Sequence, residues 1–107
     1  FSVTEAVELD SMELAVVLNV VRQNIKYSDR YHVFCDEKNE KCLKYLADII
    51  TTEHLCNQMP YFTEKQILIY LLTLKSKGYL VYELLDKTTS YTVVALSLPE
   101  FLVTNQK

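Results

Sequence analysis

Apolar residues recur at helical spacing near the start of the chain. Leu14, Val17, Leu18, Val21 and Ile25 stand at i, i+3, i+4, i+7 and i+11, which predicts a helix over about residues 11–25. Asp10 and Glu13 supply a capping-box pattern at its start. Val16 and Val20 widen the apolar face, so much of this helix is expected to be buried. Valine is a weak helix former, but periodicity over four turns outweighs it. Tyr31-His32-Val33-Phe34 is aromatic and β-branched, the pattern of a brief strand. A second helix is predicted over about residues 40–55. Leu43, Leu46, Ala47, Ile50 and His54 mark its inner face, and Lys41, Lys44, Asp48 and Glu53 its outer one. Pro60 separates it from the next element.

Thr63 and Gln66 form a second capping box, with Phe62 and Ile67 at the spacing of a hydrophobic staple. The third helix is expected to run to Lys77, with Lys75 and Lys77 in the last turn, where the helix dipole favours cations. Gly78 then stands where a positive φ is needed, and Tyr79 after it can pack back on the helix. Tyr79–Leu84 reads as a strand, Asp86–Ser90 as a turn and Tyr91–Leu98 as a second strand closed by Pro99. Glu100–Val103 adds a short tail packed on the core.

The order is helix, short strand, helix, helix ending in glycine, hairpin. It predicts an α+β fold of the winged-helix type, a helix-turn-helix variant with three helices and a C-terminal β-hairpin wing. The same order also describes three helices on a two-stranded sheet without that functional name. Residues 1–107 make one domain: an N-terminal extension over 1–10, a core over 11–98 and a tail over 99–107.

Composition narrows the function. Half of the 107 residues are apolar, which is globular composition. Eleven Lys and Arg against fourteen Asp and Glu leave a net charge of −3, which argues against a generic polyanion binder. A single Gly leaves no glycine-rich phosphate loop, dinucleotide fingerprint or nucleophile elbow. The chain opens at Phe1 and is read as a piece of a longer protein, with no signal peptide. Its longest apolar run, Ile67–Leu72, is too short to span a bilayer. Three cysteines, Cys35, Cys42 and Cys56, are an odd number, which favours unpaired thiols in a reducing intracellular compartment.

The segments Thr63-Glu64-Lys65-Gln66-Ile67, Leu71-x-x-Leu74-Lys75-Ser76-Lys77-Gly78-Tyr79-Leu80 and Ser90-Tyr91-Thr92-Val93-Val94-Ala95-Leu96 carry a family resemblance. They resemble the C-terminal winged helix of AAA+ proteins of the origin-recognition and Cdc6 type, over roughly Leu14–Leu98. DNA-binding members carry several Arg and Lys on the third helix and wing, whereas no Arg follows Arg30 here. From Thr63 to Leu98, Lys65, Lys75, Lys77 and Lys87 exceed Glu64, Glu83 and Asp86 by only one charge. The chain is thus more similar to the silencing branch of that family, in which the winged helix serves homodimerisation. The resemblance implies a nuclear protein of chromatin silencing or origin recognition.

The third helix turns Ile67, Tyr70, Leu71 and Leu74 to the core and Lys65, Ile69, Leu72 and Ser76 outward. Base edges call for Arg, Lys, Asn or Gln on that outer face. Ile69 and Leu72 cannot hydrogen-bond a base, so Lys65, Ile69, Leu72 and Ser76 are expected to form a protein interface, most simply in a two-fold homodimer. Two alternatives stand beside it. Phe1–Val7 folds over this face, or Lys65, Lys75, Lys77 and Lys87 hold duplex DNA by its backbone. Tyr79, Tyr82 and Tyr91 are read as cross-strand packing rather than base-stacking platforms. His32, Cys35, Cys42, His54 and Cys56 lack paired zinc-knuckle spacing, and Cys42 and Cys56 read as small buried apolar residues. Asp36, Glu37 and Glu40 sit in a mixed-charge loop with Lys38 and Lys41 and read as solvated surface. No catalytic group, metal, cofactor, membrane contact or small-molecule ligand is expected.

Overall fold

Ser11 opens the first helix, its hydroxyl accepting the backbone N–H of Leu14 at 3.2 Å. The cap thus falls one residue after the predicted Asp10, which lies outside the described residues. The computed structural model describes residues 11–36, 38, 40–88 and 92–103. Helix α1 spans Met12–Lys26. Leu14, Val17, Leu18, Val21 and Ile25 are buried as the periodicity predicts, and Ala15 joins them. Val16 and Val20 are half-buried.

The predicted brief strand is β1, Arg30–Asp36, and it turns into a second strand, β2, Lys41–Thr51. No helix covers 40–55; α2 is confined to Thr52–Gln58. The predicted inner stripe is divided between the two faces of β2. Leu46 and Ile50 pack with the helices, while Ala47 lies on the other face with Phe34 and Ala95. Leu43 is 44% exposed, and His54, expected inward, is exposed on α2. From Tyr45 to Thr51 the strand is covered on both faces, which removes the alternation that would reveal it, and its apolar residues then imitate a helical period.

Cys35 and Cys42 stand directly opposite in the β1–β2 register and form a disulfide. This overturns the expectation of three unpaired thiols, and of Cys42 as a buried apolar residue, since both cystine halves are exposed. The pairing follows from the hairpin, which brings together side chains that a helix over 40–55 would have held apart. Cys56 is the free thiol and is half-buried. Glu40 closes the hairpin turn at φ 54, in the left-handed region. Lys41, placed by the sequence in a charged loop, begins β2.

Thr51 caps α2, accepting the N–H of His54 at 3.1 Å. Leu55 and Met59 drop into the core. Helix α3, Glu64–Ser76, is followed by β3, Val81–Lys87, and β4, Thr92–Ser97. Asp86 and Lys87, expected in the turn, instead extend β3 past an irregularity between Leu84 and Asp86. Tyr91 and the predicted turn residues Thr89 and Ser90 lie outside the described residues.

The described residues therefore form a small α+β domain with three α-helices and a four-stranded antiparallel sheet of order β1-β2-β4-β3. Strand β2 serves two partners. Lys41–Ala47 pairs with β1, and Asp48–Thr51 pairs with β4. Val94, Leu96 and Ile50 share the main core with the helices. On the opposite face, Phe34, Ala47 and Ala95 form a smaller cluster with Tyr45, Ile49 and Val81. Of the tail expected to pack on the core, Phe101 does so, while Glu100, Leu102 and Val103 are exposed. Pro99–Phe101 makes one 3₁₀ turn, and Leu102 bridges to Tyr45.

Candidate functional site: the outer face of the third helix

Two local signals place α3. At its start the Thr63 hydroxyl accepts the N–H of Gln66 at 3.1 Å, while the Gln66 side chain accepts the N–H of Thr63 at 2.9 Å. This is the reciprocal capping box that the sequence predicts. At its end Lys77 is the cap residue and Gly78 takes φ +86. Gly78 N–H donates to the Lys75 carbonyl and Tyr79 N–H to the Leu74 carbonyl, each at 3.0 Å. These two bonds are the Schellman pattern, and they satisfy carbonyls that the helix end would leave open. Tyr79 and Leu74 also share the main core, so the turn is locked by packing.

Between these ends the wheel has two faces. Ile67, Leu71 and Leu74 are fully buried, and Tyr70 meets Phe62 edge-on at 5.1 Å between ring centroids. Lys65, Ile69, Leu72 and Ser76 are all exposed, with Ile69 at 52% and Leu72 at 51%. The polar groups near this stripe are turned inward on the helix itself. Thr73 Oγ1 donates to the Ile69 carbonyl at 2.7 Å, and Ser76 Oγ to the Thr73 carbonyl at 2.9 Å. Such back-bonding leaves Ile69 and Leu72 as what the centre of the stripe offers a partner. The extension over 1–10, which the sequence offered as a cover for this face, lies outside the described residues.

The lysines do not gather into one patch along the helix. Lys65 lies in the first turn and Lys75 and Lys77 at the last, about 15 Å apart along the axis by helical rise. The Lys75 ammonium lies 5.6 Å from the ring centroid of Tyr82, so part of its charge is directed at the wing rather than outward. Lys87 is exposed at the end of β3. Tyr82 itself is half-buried with the main core, as cross-strand packing requires, and burial raises its phenol pKa.

Elsewhere the chemistry is muted. Burial, with Glu64 and Glu53 nearby, pushes the Cys56 thiol pKa up, so it stays protonated and weakly nucleophilic near neutral pH. Burial also raises the Asp48 carboxyl pKa, against the opposing effects of an Asn24 hydrogen bond and of His54 and Arg30. Asp48 Oδ2 has no hydrogen-bond partner among the described residues. Among those residues no group of three or more His, Cys, Asp or Glu side chains converges as a metal site. No described helix is long and apolar enough to cross a membrane.

Sequence reasoning missed three features beside this site: β2, the disulfide, and a hydrogen bond of 2.6 Å between His32 Nε2 and Glu83 Oε1 that ties β1 to β3. Two cysteines seven residues apart around a charged turn, flanked by strand-forming residues, were the available signal for a cystine-stapled hairpin. Comparison with protein-family models, curated proteins and solved structures finds no match to this chain.

Proposed function

We propose that this domain is a winged-helix protein–protein interaction module that pairs with a second copy through the outer face of α3. The carrying observation is the half-exposure of Ile69 and Leu72 at the centre of the stripe Lys65, Ile69, Leu72 and Ser76. Apolar side chains clustered on the exposed, otherwise polar face of a helix mark a partner surface. The winged-helix reading is supported by the element order, with α3 ending at Gly78 and passing into the β3–β4 hairpin. It is further supported by the pairing of the second half of β2 with β4. The setting in chromatin silencing or origin recognition, and with it the nucleus, is part of the proposal and rests on the family resemblance alone.

Sedimentation equilibrium tests the reading. At high micromolar concentration the wild-type chain has a mass above the monomer, and Leu72→Asp lowers that mass while far-UV circular dichroism is unchanged. A strictly monomeric wild type, or a Leu72→Asp variant of undiminished mass, overturns it. A duplex-DNA shift that weakens steeply with salt, and is lost when Lys65, Lys75, Lys77 and Lys87 become Gln, would replace it with a DNA-binding function.

A further inference from the structure

The two outer edges of the sheet are built differently. Natural sheets protect edges with bulges, lysines or prolines, because an open edge templates pairing with another chain. The β3 edge has such protection, with a register irregularity between Leu84 and Asp86 and Lys87 at its end. The β1 edge has none. Its seven residues pair with β2 in unbroken register, and it contains neither Lys nor Pro. Among the described residues no strand pairs with its outer side. Strand β3 approaches β1 through His32 and Glu83. Arg30, Tyr31, Val33, Cys35 and Asp36 remain exposed, with Tyr31 at 54% and Val33 at 49%.

The sequence of this edge, Arg30-Tyr31-His32-Val33-Phe34-Cys35-Asp36, is complementary to itself. An antiparallel pair with a second copy, centred on Val33, sets Arg30 opposite Asp36 of the other chain at both ends. It also sets Val33 against Val33, and Tyr31 beside the cystine. Arg30 and Asp36 of one chain are about 20 Å apart along the strand and cannot meet each other. Asp36 Oδ1 accepts the Lys38 N–H at 3.0 Å, and Arg30 lies near enough to Asp48 to act on its charge. The Cys35–Cys42 disulfide pins β1 to β2 at the Asp36 end, which holds the edge in register.

The geometry points to the β1 edge as a second self-association surface, on which two copies of this chain join Arg30 to Asp36 across a two-fold axis in one continuous eight-stranded sheet. This surface is separate from the α3 face and does not depend on it. Two different isologous surfaces on one chain build assemblies larger than a dimer, closed where the two-fold axes intersect and open where they do not, and removing either leaves dimers.

The test is sedimentation equilibrium of the full chain in the Leu72→Asp background at low salt, with far-UV circular dichroism to establish folding. Leu72→Asp alone is expected to remain a dimer. Adding Arg30→Asp sets Asp opposite Asp at both ends and weakens that dimer by about tenfold or more. Asp36→Arg in its place sets Arg opposite Arg with the same result, which keeps the test open if one variant fails to fold. Carrying Arg30→Asp and Asp36→Arg together restores the dimer. A monomeric Leu72→Asp chain overturns the β1 surface and leaves the α3 reading standing. Failure of the double charge exchange to restore association overturns the proposed register.

Discussion

Replacing Gly78 by Ala isolates the backbone demand at the junction of α3 and the wing. A Cβ built on Gly78 meets nothing within 4 Å, so the change makes no clash. The whole cost is conformational, because φ is +86. Left-handed backbone costs an L-residue about 1–2 kcal/mol. Against this, Ala restricts the unfolded chain and returns about 0.4–1 kcal/mol. The net expectation for Gly78→Ala is a loss of about 0.5–1.5 kcal/mol. For a domain of this size that lowers Tm by roughly 2–6 °C. Urea unfolding followed by circular dichroism should show a lower midpoint with an unchanged slope, since the surface exposed on unfolding is the same. Lys77→Ala, one residue earlier and at an ordinary helical φ of −85, is the control and should change stability by under about 0.5 kcal/mol. A Gly78→Ala chain as stable as wild type would refute the reasoning, because the Schellman turn would then not need its positive φ.

Removing the disulfide with Cys35→Ser and Cys42→Ser frees a loop of about eight residues. Loop-closure entropy puts the loss near 2.5 kcal/mol, read as a lower urea midpoint that dithiothreitol does not lower further. Asp48 sets a pH dependence of definite sign. Its carboxyl binds a proton more tightly folded than unfolded, because burial raises its pKa from 3.8. Its contribution to stability is therefore greatest below the unfolded value and is lost as pH rises through the raised folded one. Asp48→Asn should accordingly be more stable than wild type at pH 7 and lose that advantage toward pH 3, as urea titrations at the two pH values would show.

The parts of this fold that are legible in the sequence are those whose causes lie within a few residues. The α1 stripe, the Thr63–Gln66 box, the Gly78 turn and the two strands after it each rest on spacing or on one conformationally special residue. The outward direction of Lys65, Ile69, Leu72 and Ser76 follows from helical geometry once the ends of α3 are placed. What decided residues 40–55 lies far away in the chain. Leu43, Leu46, Ala47 and Ile50 satisfy a helical period on their own. Backbone pairing with β1 on one side and β4 on the other makes the segment a strand instead, and the cover on both faces of its second half erases the alternation that would announce it. The disulfide, the His32–Glu83 tie and the open β1 edge all depend on that one decision. The sequence by itself determined the ends of α1 and α3 to within about a residue, because capping is local chemistry. Only the tertiary structure determined which segments pair and which edge stays open, because pairing is chosen by partners that the chain brings together only when it folds.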